Sequence, residues 1–210
     1  MNETADIAIV GGGAGGLAFA WAVAARGLKV VLLERGQAVD QRHAPTLDHD
    51  WELALQTKYN ANPNLRAGPA DHPVDDEGSP IKPAFFNALG GSTIRWGAHF
   101  PRFRPSDVRP RSLDDVGQDW PLSYDNLQPW YDLNDRMMGV AGLSGDPGNP
   151  PRAPRPCPPL PLCPATEKLA EAFDRLGWHW WPSDAAILTK ERGTRNRCNN
   201  CGPCGLGCPR

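Results

Sequence analysis

No run of about 18 apolar residues occurs in this 210-residue sequence, so a membrane-spanning helix is excluded. An excess of charge of one sign is also missing. Lys and Arg total 22 against 24 for Asp and Glu, a formal net charge of −2. That balance removes the global electrostatic case for nucleic acid or an anionic membrane surface as partner. The N-terminus, Met1 to Val10, has no basic segment ahead of its first apolar stretch. A cleaved export signal is therefore not expected, and the first expectation for location is cytoplasmic. No internal repeat is visible. Glycine (22) and proline (23) are by contrast abundant, which reads as a loop-rich globular chain short of low complexity. The length suits one ample domain or two small ones.

Asp6 to Val10 is a short apolar run ended by glycine and reads as a buried parallel strand. Ala14 to Arg26 follows with helical density and stops at Gly27. Lys29 to Leu33 is a second buried strand, closed by Glu34-Arg35-Gly36. Strand, glycine turn, helix and strand make one βαβ unit, so the fold class is α/β with a Rossmann-like domain and loop-rich excursions. Periodicity fades from Gln37 to Ala84, where Asp48 to Leu55 is a candidate short helix and Asn62 to Pro83 a long excursion. Phe85 to Phe103 reads as a glycine loop followed by extended chain. Trp120 to Asp125 opens a helix to about Met138, with Leu127, Trp130, Tyr131 and Met138 near one face. Ser144 to Pro164 is a Pro-rich connection. Thr166 caps a helix to Leu176 that stops at Gly177, and Trp178 to Trp181 begins a strand because aromatics fit a pleated surface.

Gly11-Gly12-Gly13-Ala14-Gly15-Gly16 satisfies G-x-G-x-x-G in the required context, after a strand and at the start of a helix. Gly11 allows the tight turn, Gly13 lets the backbone approach a pyrophosphate, and Gly16 lets helix and strand pack closely. The helix start at Ala14 offers free N–H groups to that anion. Glu34, at the end of the second strand, is placed to accept hydrogen bonds from an adenosine ribose, and Arg35 beside it is a second candidate or a surface charge. A carboxylate suits a free 2′-OH, so FAD and NAD both fit and NADP fits poorly.

Four of the six cysteines crowd into the end of the chain as Cys198-x2-Cys201-x2-Cys204-x3-Cys208-Pro209. The spacing equals the bacterial ferredoxin run, whose thiolates wrap an iron–sulfur cluster. Zinc ribbons space their pairs more widely, and disulfides between such near neighbours strain short loops. The segment is too poor in apolar residues to fold without a staple. Cys157 and Cys163, in the Pro-rich stretch, read as structural.

The stretch Asn87 to Asp107, with Gly90-Gly91-Ser92-Thr93-Ile94-Arg95-Trp96-Gly97 inside it, joins the fingerprint in resembling the glucose–methanol–choline (GMC) family of flavoprotein oxidoreductases. Asp119 to Leu127 and Trp130-Tyr131 look like that family's next segment. The resemblance implies FAD bordered by Gly90, Gly91, Ser92, Thr93, Trp96 and Gly97. Glycines there permit close backbone approach, and their N–H groups can stabilise an anionic reduced flavin. Relatives with covalent FAD carry His where this chain has Arg95, which implies non-covalent FAD. The cysteine run resembles the large subunit of membrane-linked sugar and polyol dehydrogenases. There C-x5-C-x3-C holds a three-iron cluster, here Cys198, Cys204 and Cys208, with Cys201 free or a fourth ligand; 3Fe-4S is thus expected ahead of 4Fe-4S. The resemblance implies a dehydrogenase acting on an alcohol or sugar, with a small escort subunit and a haem-containing cytochrome as partners. An escort that carried the export signal would make the location periplasmic. The family's catalytic His lies in a C-terminal part, and none of His43, His49, His72, His99 or His179 matches its motif, so no catalytic role is assigned and the chain reads as truncated. Residues 1–143 are then expected as the FAD-binding part, 144–165 as a connection, 166–197 as an incomplete second region and 198–210 as the cluster segment. Rival readings are an electron-transfer module without catalysis and a nicotinamide-dependent reductase.

Overall fold

The computed structural model describes residues 4–38, 49–50, 75, 77–81, 86–202, 204–206 and 208. The candidate helix Asp48 to Leu55 lies outside them except for His49 and Asp50, as does the excursion from Asn62 except for a few positions between 75 and 81. The chain forms two compact units, Met1–Gly97 with Gly202–Arg210, and Ala98–Cys201.

In the first unit, β1 (Ile7–Val10), α1 (Ala14–Ala24) and β2 (Val30–Leu33) make the expected right-sized βαβ segment. The strands pair in parallel, Ile7 with Val30 through Val10 with Leu33. Gly27, at φ +84°, ends the helical region in the left-handed conformation that glycine adopts at least cost. Because the side chains alternate, Ile7, Ile9, Val30 and Leu32 are the less exposed set of the two strands. Val10, Val31 and Leu33 are exposed at 86%, 40% and 56%. This is a Rossmann-like α/β fold.

The second glycine stretch departs from expectation. A 3-10 helix, Gly91–Arg95, stands where an open loop was expected, entered through Gly90 in the left-handed region at φ +96°. Its Thr93 hydroxyl donates to the Gly90 carbonyl at 2.5 Å, which tightens the turn.

The second unit carries a 3-10 helix Pro105–Val108, then α2 (Pro110–Asp114), α3 (Tyr124–Met138) and α4 (Pro164–Leu176). Ser123 caps α3, its hydroxyl accepting from the Asn126 N–H, and Gly139 closes it at φ +79°. Trp130 does not join Leu127, Tyr131 and Met138 on the inner face; it is 65% exposed. The start of α4 also differs: Cys163 is the cap, and Thr166 turns back to accept the Cys163 N–H at 3.0 Å. Apolar burial in this unit is thin, with Val108, Val140 and Cys157 fully buried. Ion pairs share that interior. Arg102 binds Asp132 and Asp135 at 2.6 and 2.5 Å, Arg155 binds Asp135 and Asp184 at 2.7 Å each, and Arg152 binds Asp184 at 3.0 Å. Trp178 to Trp181 is not a strand. The Trp180 indole donates to Asp174 and that of Trp181 to the Leu143 carbonyl, so these rings anchor an irregular segment with no partner strand beside it among the described residues.

Candidate dinucleotide site

Gly11 sits at φ +96° with its N–H bonded to the Leu33 carbonyl at 2.8 Å, which turns the chain tightly off the sheet. Gly13 is extended and caps α1, and a Cβ built on it meets nothing within 4 Å. Its missing side chain therefore leaves open space in front of the helix N-terminus at Ala14, where backbone N–H groups are suited to an anion. Gly16 answers a different need. A Cβ there would lie 2.0 Å from the Gly11 carbonyl oxygen, so the helix can rest on the turn only without a side chain.

Glu34 leaves the end of β2 and reaches back to this turn. One carboxylate oxygen accepts the Gly12 N–H and the other the Gly36 N–H, both at 2.5 Å. Donation from Gly36, and then from Gly12, holds its carboxyl below the ordinary value of 4.5 despite the opposing effect of desolvation. A carboxylate offers about four lone-pair sites, so two remain for ribose hydroxyls. Arg35 is exposed next to it.

Two further glycines complete the arrangement, Gly12 at a free position of the fingerprint and Gly36 beyond it. A Cβ on Gly12 would press on Glu34, Leu89 and Leu32 at 3.0–3.2 Å, and one on Gly36 would collide with the Ala88 backbone at 2.4 Å. Gly36 thus allows the chain after β2 to lie against Ala88, where Gln37 and Ala88 bridge in parallel and the Leu89 N–H bonds the Gln37 carbonyl at 3.0 Å. The Gly90 N–H then donates to the Gly12 carbonyl at 2.9 Å, and Gly91 lies against Gly13. Both glycine segments therefore share one wall. A glycine directly after Glu34-Arg35 was the visible sign of this close approach; its partner Ala88 carried none.

The remaining candidates along this wall are placed individually. Ser92 accepts the Phe86 N–H at 3.1 Å, Trp96 is half-buried and Gly97 exposed. Arg95 holds its guanidinium 4.7 Å from the Phe86 ring centroid, a cation–π contact. FAD fits this set: the open space at Gly13, the helix start and the spare carboxylate sites suit its adenosine pyrophosphate half.

The cysteine run is divided, with Cys198 and Cys201 in the second unit and Cys204 and Cys208 in the first. The Asn200 N–H donates to Cys198 Sγ at 3.3 Å from a left-handed turn at φ +57°, and thiols are the donors an iron–sulfur cluster requires. Among the described residues, no three His, Cys, Asp or Glu side chains converge on a metal position. Cys157 is buried and Cys163 exposed, each serving the local structure described above. No helix among the described residues is long and apolar enough to cross a membrane.

The turn, the helix start and the acidic residue at the end of β2 define a Rossmann-like dinucleotide-binding domain, and residues 9–67 match the family described as NAD(P)-binding Rossmann-like domain. The chain is 36% identical over 197 residues to 2-methyl-1,2-propanediol dehydrogenase of Mycolicibacterium austroafricanum, covering 92% of this chain and 35% of that protein. To 6'''-hydroxyparomomycin C oxidase of Streptomyces lividus it is 31% identical, covering 92% and 34%. To the fructose dehydrogenase large subunit of Gluconobacter japonicus it is 29% identical, covering 98% and 42%. These homologues are GMC-type oxidoreductases, with a Rossmann-like NAD(P)/FAD-binding domain at the N-terminus. The chain spans about a third of the length of the first two.

Proposed function

We propose that this chain is the FAD-binding part of a dehydrogenase acting on CH–OH groups of alcohols, sugars or polyols. The observation that carries the reading is the Gly90 N–H bond to the Gly12 carbonyl, which brings the flavin-loop candidates to the nucleotide turn. In this reading Gly13 and the N–H groups at Ala14 receive the pyrophosphate, Gly11 makes the turn and Gly16 seats the helix on it, and Glu34, with Arg35 beside it, holds the ribose. Gly90, Gly91, Ser92, Thr93, Trp96 and Gly97 border the ring system and exclude water from one side of it. FAD, when bound, supplies the acceptor for hydride from the substrate carbon. The relatives' names, a diol dehydrogenase, an aminoglycoside oxidase and a sugar dehydrogenase subunit, support a hydroxyl-bearing substrate.

The cysteine run, Cys198, Cys201, Cys204 and Cys208, is proposed to hold an iron–sulfur cluster, three-iron before four-iron, which when bound supplies one-electron chemistry. A cytochrome and a small escort subunit are the partners this implies, the large-subunit relative being the support. The functional division at 143/144, 165/166 and 197/198 is part of the same proposal.

Purified protein tests it. Flavin absorption bands are expected, and acid precipitation is expected to release the flavin into the supernatant. Colour that stays in the pellet overturns the non-covalent reading. A colourless protein that binds a nicotinamide dinucleotide overturns the flavin reading in favour of a reductase.

A further inference from the structure

In the first unit, the 3-10 helix Gly91–Arg95 begins at the nucleotide turn, where the Gly90 N–H bonds the Gly12 carbonyl and Gly91 lies against Gly13. At about 2 Å of rise per residue, its last member, Arg95, stands roughly 8 Å along the helix from that contact. Arg95 is the one charged residue between Phe86 and Gly97. Its guanidinium lies over the Phe86 ring, 4.7 Å from the centroid. Phe86 is itself fastened to the helix, since its N–H donates to the Ser92 hydroxyl oxygen at 3.1 Å. Turn, helix and ring thus form one set of contacts, and an aromatic face orients a guanidinium without taking up its charge.

We propose that Arg95 raises the reduction potential of the flavin by opposing the negative charge that reduction creates, with Phe86 as its positioning residue. The inference rests on the FAD reading above and adds an electrostatic role to it. FAD carries its ring system beyond the pyrophosphate on a ribityl chain. A cation one helical turn past Gly13 therefore belongs to the ring's side of the site, not to the phosphate cradle. Hydride transfer from a substrate carbon delivers two electrons and one proton, and leaves the ring with one negative charge. The oxidised ring is neutral and gains little from the same cation, so the attraction favours the reduced form. A guanidinium stays protonated throughout the working pH range. Held in advance over Phe86, it needs no reorganisation at the moment of transfer.

The full chain loaded with FAD tests this by reductive titration with dithionite against a reference dye, read at the flavin bands. Arg95→Gln is expected to shift the equilibrium at least about ten-fold toward oxidised flavin, a potential lower by about 30 mV for a two-electron couple. Arg95→Lys, which keeps the charge but not the planar stacking group, is expected to fall between Gln and Arg. Phe86→Leu is expected to move the potential in the same direction as Arg95→Gln. In the unaltered chain at mildly acidic pH, reduced flavin is expected to show the absorption of its anionic form. A neutral reduced flavin there overturns the inference, whether or not any variant folds. So does an unchanged potential in FAD-loaded Arg95→Gln, including the case where FAD affinity alone falls, which would assign the charge to the phosphates. Equal potentials in the Gln and Lys variants overturn charge as the cause, and an unchanged potential in Phe86→Leu overturns the ring as its support. An unaltered chain that takes up no flavin overturns the FAD reading itself, a failure that flavin analysis separates from the others.

Discussion

Gly13 and Gly16 stand three residues apart in one motif and face opposite demands. Space in front of Gly13 is open, so Gly13→Val is expected to leave the fold in place and abolish FAD binding. Circular dichroism beside flavin stoichiometry checks this, and full flavin content in the variant would remove the turn from the pyrophosphate role. Gly16→Ala, by contrast, forces a methyl onto the Gly11 carbonyl, and overpacking of that kind costs about 1–3 kcal/mol, read from the urea midpoint. Glu34 adds a pH dependence. Its folded carboxyl titrates below its ordinary value of 4.5, so its contribution to stability is complete above that value and lost as pH falls through the lower, folded one. Urea midpoints from about pH 7 to about pH 3 are expected to fall more steeply for the unaltered chain than for Glu34→Gln. Equal profiles would mean that the bonds from Gly12 and Gly36 do not favour the ionised carboxylate in the folded chain.

At the scale of elements, legibility followed the range of the signal. The βαβ segment was readable because each cue, an apolar run, a glycine turn or a stop at Gly27, acts within a few neighbours. Gly36 against Ala88 joins residues far apart in sequence, and nothing in either stretch names the other. Trp178 to Trp181 misled for a related reason: aromatic residues suit a strand only where a partner strand exists, and here the indoles bond to Asp174 and Leu143 instead. Thr166 was recognised as a capping residue but assigned the wrong position, since Cys163 precedes Pro164, which fits the first helical turn. The helices of the second unit depend on a polar interior. Asp135 is shared by Arg102 and Arg155, so Asp135→Ala takes one carboxylate from each of two buried guanidinium groups and leaves Asp132 to the first and Asp184 to the second. The expected loss is about 3–5 kcal/mol in denaturant unfolding. A loss under about 1 kcal/mol, the range of exposed pairs, would show that water reaches the network.

For the whole molecule, the family was legible before the geometry, because the fingerprint and the second glycine stretch are both sequence patterns in a fixed order. Whether the thiols converge was not, and among the described residues no three of them do. Spacing places Cys198, Cys201, Cys204 and Cys208 close along the chain, but convergence of side chains depends on turns such as those at Asn200 and Gly202 that no periodicity marks. Substrate choice was equally beyond reach, since no residue of this chain is assigned to a substrate pocket. Single Cys→Ser variants address the metal directly. Loss of iron and sulfide is expected for Cys198, Cys204 and Cys208, and retention for Cys201, under the three-iron reading; loss in all four would favour four ligands.

The exposed side of β1 and β2 has a colloidal consequence. Val10, Val31 and Leu33 form an apolar strip on a parallel pair, an arrangement that α/β proteins normally cover on both faces. The 210-residue chain on its own is therefore expected to attract itself in dilute buffer, with a negative second virial coefficient and strong fluorescence from a hydrophobic dye. Lysine at Val10 and Leu33 together should reverse the sign and dim the dye. A net charge of only −2 supplies little repulsion to oppose that attraction.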